Sequence, residues 1–345
     1  VTYVADTQNS RVLRYSATGS YLGSIAESGT AAGSVLKPAG VLVLLDGSVM
    51  VADTGNNRLQ RFASDGAYLQ TIGAGQLSGP RGMDESVLDT LYVADTGNNR
   101  VAVFTPVDGV YTYASQLGLG TGAGDGQFSA PRGVALVGTN YLWVADTGNH
   151  RIQKFNTSGT FLVKVGSKGS APGLFNVPSG VMTEDNDVVV ADTANHRIQR
   201  FDAQGNLIAT FDGSDTIAGS MNAPVALSAA PGDRTLVLER GGCRVQVLVR
   251  DNVAPVTTVS GVPATPVREA TLTFSAVDPD GSGIAATYIR EGGVARLAAP
   301  LVLNTEGIHT VSYWSVDVIG NTESEETTQV TIDRTPPVGA FQVAG

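Results

Sequence analysis

The stretch Val51-Ala-Asp-Thr-Gly-Asn-Asn-Arg-Leu-Gln-Arg-Phe62 recurs, with small changes, through the first 250 residues of the chain. Three near-copies begin at Val93, Val144 and Val190. Two more divergent copies begin at Val4 and Val237. In chain order, the six copies begin 47, 42, 51, 46 and 47 residues apart. Six copies at this spacing indicate a repeat architecture with one supersecondary unit per copy.

Each copy has the local chemistry of a β-hairpin. The apolar run Leu142-Trp-Val-Ala145 predicts a buried strand, and Asp-Thr-Gly-Asn-Asn predicts a tight turn. The following Arg100-Val-Ala-Val-Phe104 alternates in the way expected of a half-exposed strand. Another strand follows, and a Pro-x-Gly run such as Pro131-Arg-Gly-Val-Ala-Leu136 comes before. Four antiparallel strands per period predict an all-β fold made of propeller blades.

The repeated motif also resembles a known family. The pattern Asp-x-x-Asn-[Asn/His]-Arg-[Val/Ile]-Gln-x-Phe, preceded by Pro-x-Gly, is similar to the NHL repeat over residues 1 to about 250. The resemblance implies a six-bladed β-propeller, and the count of six motifs agrees with it.

The two ends of the repeat region are expected to be incomplete blades. Val1-Thr-Tyr-Val-Ala5 reads as the second strand of a blade, so the first blade lacks its innermost strand. The sixth motif ends near Arg250, so the last blade lacks its outermost strand. We expect the missing pair either upstream of Val1 in the native chain or from another subunit.

A second domain is predicted after the last motif. Five alternating apolar segments between residues 251 and 333 indicate a small β-sandwich. Asp278-Pro-Asp-Gly-Ser-Gly283 and Tyr313-Trp-Ser-Val-Asp-Val-Ile-Gly-Asn-Thr-Glu323 resemble bacterial Ig-like modules of cell-surface proteins. Asp333-Arg-Thr-Pro-Pro337 repeats the opening of this domain. The expected organisation is a propeller in 1–250, an Ig-like domain in 251–333 and the start of a further module or tail in 334–345.

Composition excludes several classes of function. The net charge is −10 and only four residues are Lys, so phosphate neutralisation has no surplus of basic residues to draw on, and nucleic acid is not an expected partner. A single Cys, Cys243, rules out an intrachain disulfide. No apolar run approaches the ~20 residues of a membrane-spanning helix.

The acidic and basic residues of the motif are predicted to be structural. A catalytic site needs one special set, whereas these residues recur in every copy, where a carboxylate and an arginine lie five positions apart. Arg suits this role because its five donors match carboxylates and carbonyls. The residues concerned are Asp6, Arg11, Asp53, Asn56, Arg58, Asp95, Asn98, Arg100, Asp146, Asn149, Arg151, Asp192, Asn195, Arg197, Glu239 and Arg244.

Two further sets are candidate ligand sites. Arg81 and Arg132 each follow the proline of a Pro-x-Gly run and could gather an anion in the channel, or else lie solvated at its rim. Asp278 and Asp280 offer oxygens for calcium, although a turn stabilised by its own aspartate explains the same pattern. No other cofactor is expected. His150 and His196 fall in the motif turn, so zinc chemistry is not assigned to them.

Two functions from different classes remain. The favoured one is a non-enzymatic, extracellular or cell-surface scaffold, in which the propeller binds protein or glycan, or self-associates, and the Ig-like domain acts as a spacer. The alternative is an enzyme of the lyase or hydrolase type with its site in the propeller channel.

Overall fold

A computed structural model describes residues 1–213, 219–231, 234–249, 253–279, 283–317, 321–336 and 339. The chain divides into two compact units, residues 1–249 and 250–345. Regular structure in the described residues is β-strand, apart from four 3-10 turns, so the all-β prediction is confirmed. Asp280 lies outside the described residues.

The first unit is a row of antiparallel sheets, each formed by strands that follow one another in the chain. The first sheet holds β1 to β3 (Thr2–Asp6, Arg11–Tyr15, Tyr21–Ser28) and a short β4 (Ser34–Val35) that runs parallel to β3. The second holds β5 to β8: Gly40–Val43, Val49–Asp53, Arg58–Phe62 and Tyr68–Ile72. The third holds β9 to β12: Pro80–Glu85, Leu91–Asp95, Arg100–Val107 and Val110–Leu117.

The remaining sheets of this unit repeat the pattern. The fourth holds β13 to β16: Gly133–Val137, Tyr141–Asp146, Arg151–Asn156 and Phe161–Val165. The fifth holds β17 to β20: Pro178–Glu184, Asp187–Asp192, Arg197–Phe201 and Leu207–Phe211. Three strands form the sixth, β21 to β23: Pro224–Ala230, Arg234–Glu239 and Arg244–Val249.

The motif turn has the same backbone shape in successive sheets. A 3-10 turn spans Thr54–Asn56, Thr96–Asn98, Thr147–Asn149 and Thr193–Asn195. The next residue is left-handed in each case, with φ of 55°, 51°, 55° and 56° at Asn57, Asn99, His150 and His196. Asn and His are among the non-glycine residues that best tolerate this conformation, which explains why they occupy it.

Neighbouring sheets meet through their first strands, which pack side by side from β5 to β21. The glycine of Pro-x-Gly makes this approach feasible. A Cβ at Gly82 would lie 2.6 Å from the carbonyl oxygen of Arg132, and one at Gly180 would lie 2.9 Å from that of Val225. The Gly82 N–H donates to the Arg132 carbonyl at 2.8 Å. Backbone contact therefore sets the spacing of the first strands.

Apolar cores lie between consecutive sheets. Phe104 and Leu59, for example, belong to the core between the second and third sheets, and Trp143 and Phe201 to that between the fourth and fifth. Since each interior sheet is covered on both faces, its second strand is buried almost throughout and its third strand largely so. The prediction that the strand from Arg100 to Phe104 is half-exposed was therefore wrong, since Val101 to Phe104 are all buried.

The second unit contains two antiparallel sheets. One has the order β24-β25-β28, with strands Val256–Ser260, Ala270–Val277 and Leu301–Leu303. The other has the order β27-β26-β29-β30, with strands Arg296–Leu297, Ile284–Glu291, Gly307–Asp317 and Glu326–Ile332. Residues from both sheets, including Leu272 and Val311, form one apolar core.

Candidate functional site

The carboxylate and the arginine of each motif form an ion pair across the motif hairpin. Asp53 and Arg58 are paired positions of β6 and β7, and the equivalent residues pair in the other sheets. The arginine Nε donates to the carboxylate at 2.7 to 2.9 Å in all six motifs. The pairs are Asp6–Arg11, Asp53–Arg58, Asp95–Arg100, Asp146–Arg151, Asp192–Arg197 and Glu239–Arg244.

The same carboxylates bind the loop that enters each sheet. From the second sheet onwards, the acid accepts a backbone N–H of that loop at 2.7 Å, from Leu36, Ser78, Ser129, Asn176 and Asn222 in turn. A motif asparagine also donates to the acid in the first five sheets: Asn9, Asn56, Asn98, Asn149 and Asn195. The polar atoms of the motif are thus used within the fold.

Two other motif positions fasten each turn to the following sheet. The threonine hydroxyl, for example that of Thr54, donates at 2.7 Å to the proline carbonyl that begins the next first strand. The left-handed residue accepts the N–H just before that proline. His150 does so through Nδ1 from Val177 at 3.1 Å, as Asn99 does through Oδ1 from Ala130 at 2.7 Å. Each turn histidine thus has a framework role.

Arg81 and Arg132 are brought together with a third arginine. Both are half-buried and occupy the same place in the first strands of adjacent sheets. Burial lowers the pKa of each guanidinium, and the charge of Arg240 lowers the pKa of both further. Sequence reasoning missed Arg240. It stands where the five other motifs have threonine, so the departure from the repeat was the available signal.

Asp278 is used inside its own turn. Its Oδ2 accepts the N–H of Gly283 at 2.6 Å, in the manner of an aspartate that stabilises a turn. The second predicted calcium ligand, Asp280, lies outside the described residues. Within those residues, no group of three or more His, Cys, Asp or Glu is placed to hold a metal ion.

An exposed apolar surface covers the hairpin turns at the end of the second and third sheets opposite the motif turns. Its six side chains are between 50% and 78% exposed. They lie at or next to the β5–β6, β9–β10 and β11–β12 turns, and we call them the apolar turn surface: Val43, Leu45, Val87, Leu88, Val107 and Val110. In the fourth and fifth sheets the first of these turns are polar, Gly138-Thr-Asn140 and Asp185-Asn186.

Contacts between the second and third sheets hold this surface together. Glu85 accepts the N–H of Leu45 at 2.7 Å and also the hydroxyl of Tyr111. Arg61 is paired with Asp46, bonds the carbonyl of Gly109 and lies 5.7 Å from the Tyr111 ring centroid. Exposed Asp89 and Asp108 flank the same turns. The rim thus carries four carboxylates and one guanidinium, and that guanidinium, of Arg61, is already paired with Asp46.

In the part of the chain that the structure describes, no helix is both long and apolar enough to cross a membrane.

Known proteins resemble the chain in two ways. Residues 128–155 and 175–201 match the NHL repeat family. A stretch of 65 residues is 40% identical to Protein brain tumor of Drosophila melanogaster, and the match covers 19% of this chain and 6% of that protein.

Solved structures extend the likeness beyond the matched repeats. The streptogramin B lyase structure is 17% identical, with a TM-score of 0.53 over 73% of this chain and 76% of that one. Virginiamycin B lyase from Staphylococcus aureus is 16% identical, with a TM-score of 0.53 over 93% and 88% of the two chains. A gluconolactonase from Xanthomonas campestris is 15% identical, with a TM-score of 0.52 over 69% and 78%. At these identities the likeness concerns the fold alone. The matched repeats and the propeller-like structures together support an NHL β-propeller.

Proposed function

We propose that the first unit is a non-enzymatic protein-binding scaffold whose partner docks on the apolar turn surface. The observation that carries this proposal is the restriction of that surface to the second and third sheets. Repeats that share one framework differ here in the chemistry of the same turns. Contiguous exposed apolar side chains rimmed by polar groups are typical of sites of protein association. NHL propellers are, in addition, protein-interaction platforms.

The rim indicates the chemistry of the partner. Asp46, Glu85, Asp89 and Asp108 surround the apolar side chains, while Arg61 is occupied by Asp46. Complementary charges steer association and exclude wrong partners. The partner is therefore a protein segment that presents apolar side chains beside lysine or arginine. The large aliphatic contact favours protein over glycan, since a glycan offers less apolar surface to bury against Leu45 and Leu88.

The test uses a short synthetic peptide of alternating leucine and lysine, with a leucine–glutamate peptide of the same length as its control. Binding to the full chain is measured by surface plasmon resonance. The lysine peptide should bind and the glutamate peptide should not. Val87→Ser combined with Leu88→Ser should weaken binding at least about tenfold, because both side chains are among the most exposed of the six. Their exposure keeps the effect on stability within about 0.5 kcal/mol.

Leu162→Ser is the matched control, because Leu162 is an exposed leucine of the fourth sheet and lies outside the apolar turn surface. It should leave binding unchanged. Equal binding of both peptides, or equal losses in the control and the double variant, would overturn the proposal. Concentration-dependent dimerisation that the double variant abolishes would assign the surface to a second copy of this chain.

The wider setting is part of the same proposal. The first unit is proposed to be a six-bladed propeller, and the second an Ig-like spacer that holds it away from a cell envelope. Two facing sheets around one core support the second assignment. An extracellular, surface-anchored location follows from this reading. Reading the gene on both sides of this sequence for a secretion signal and an anchor tests it; a cytoplasmic protein without either would contradict it.

A further inference from the structure

Arg81 and Arg132 occupy matching positions in neighbouring sheets. Each lies between the proline and the glycine of a Pro-x-Gly run at the start of its sheet, and the two runs touch through their backbones at Gly82 and Arg132. The same position in the other sheets is held by uncharged residues, Ala39, Ser179 and Val225. The two cations are therefore a local departure from the repeat.

Arg240 approaches the same place from the sixth sheet. It follows β22, and its backbone N–H donates at 3.0 Å to the carbonyl of Ala223, directly before the first strand of that sheet. Its charge acts on both Arg81 and Arg132. The contact between their strands brings the Arg81 and Arg132 positions side by side, and Arg240 adds a third guanidinium near enough for its charge to act on both. Arginine side chains do not lose their proton in proteins, so the cluster is cationic.

The three charges are uncompensated within the described residues. Each motif arginine has a carboxylate partner, whereas none of these three side chains has an ion pair there. The Nε atoms of Arg81 and Arg132 are buried without a hydrogen-bond acceptor. Buried donors without acceptors and clustered like charges both cost free energy. An anion with several acceptor oxygens would remove both costs.

We propose that Arg81, Arg132 and Arg240 form a binding site for a compact, multiply charged oxyanion, of the polycarboxylate or phosphate class. The planar fork of a guanidinium matches the paired oxygens of either group. Three convergent cations favour a ligand with more than one negative charge. This site is independent of the apolar turn surface, which lies on other residues of the molecule.

A small ligand fits better than a nucleic acid. A polyanion needs a continuous basic track, and the chain has a net charge of −10 and four lysines, none of them in this cluster. The positive charge here is confined to one group of three side chains, which suits a single compact anionic group.

Isothermal titration calorimetry of the full chain tests the proposal, with citrate and pyrophosphate as probes at constant ionic strength. At least one probe should bind with one site per chain, and the preferred probe distinguishes carboxylate from phosphate. Arg81→Met and Arg132→Met should each weaken binding about ten- to a hundredfold, since each removes charge-assisted hydrogen bonds. Arg240→Met should weaken it less, because Arg240 is exposed.

Arg234→Met is the matched control, because Arg234 is an exposed arginine of the sixth sheet outside the cluster. It should bind the probe as the parent chain does. Thermal unfolding without ligand gives a second readout: Arg132→Met should unfold at a higher temperature than the parent, because an unpaired, half-buried charge is removed. Absence of binding by both probes, or affinities unchanged in Arg81→Met and Arg132→Met, would overturn the proposal.

Discussion

The motif of the first sheet and that of the fourth contain the same ion pair in different surroundings. Arg11 and Arg151 both donate through Nε at 2.8 Å. In the fourth sheet the carboxylate is fully buried and the arginine side chain is 7% exposed, whereas the values in the first sheet are 20% and 42%. In the fourth sheet the preceding loop covers the pair. Its Ser129 N–H bonds Asp146, and its Gly124 carbonyl accepts from Arg151.

This comparison shows that the same ion pair is exposed in one sheet and buried in another. Exposed ion pairs contribute little to stability, while the loss of one partner of a buried pair leaves an unpaired charge. The fourth sheet should therefore depend on its motif strongly and the first sheet weakly. Three substitutions test that expectation.

The largest effect is expected from Asp146→Ala. It leaves the buried Arg151 guanidinium without its carboxylate and removes the acceptor of Ser129, Asn149 and Gln153. The free energy of unfolding should fall by about 3–5 kcal/mol. Differential scanning calorimetry measures it. Asp6→Ala is the matched change in the first sheet, and equal losses for the two variants would contradict the comparison.

An intermediate effect is expected from His150→Val. A β-branched residue at φ of 55° is strained, and Val177 loses the acceptor of its N–H. The expected destabilisation is about 2–4 kcal/mol. His150→Asn should stay within about 0.5 kcal/mol of the parent, since Asn57 and Asn99 make the equivalent bond in other sheets. A large loss with asparagine would show that the imidazole does something beyond this bond.

The smallest effect is expected from Asp6→Asn. Burial raises the pKa of Asp6, but the bonds from Arg11 and Asn9 outweigh it and hold the pKa below its ordinary value. The carboxylate therefore adds stability above the unfolded-state pKa of about 4, and this stability is lost as the pH falls through the folded-state value.

Thermal unfolding of the parent and the Asp6→Asn variant between about pH 3 and pH 7 measures this contribution. The two curves should differ by less than about 1 kcal/mol near neutrality and converge in acid. If the two curves diverged as the pH fell, the pKa of Asp6 would not be lowered by folding, and the prediction would be contradicted.

Much of this framework follows from the sequence because its causes are local. The five-residue spacing of Asp53 and Arg58 places them opposite each other across a hairpin, and repetition distinguishes a structural pair from a site. The prediction that the strand from Arg100 to Phe104 is half-exposed was wrong because another sheet covers its second face. Alternation within one strand does not reveal such a cover.

The two proposed sites depend on relations between sheets. Arg240 lies more than a hundred residues from Arg81 and Arg132, and only the packing of sheets against one another brings it near them. From the sequence, Leu45 and Val87 are ordinary turn residues of separate hairpins; in the structure, the bond from the Leu45 N–H to Glu85 joins their sheets. Variation at equivalent repeat positions was the one signal present in the sequence for both.

The bonds from each motif turn to the following sheet have a consequence for how the molecule opens. A turn that releases His150 or Thr147 also frees Val177 and Pro178, so one repeat cannot loosen without loosening its successor. Such nearest-neighbour coupling makes fluctuations travel along the row in steps of whole repeats. In hydrogen exchange, the amides of Val177 and Ala223 would then report the opening of the repeat before their own.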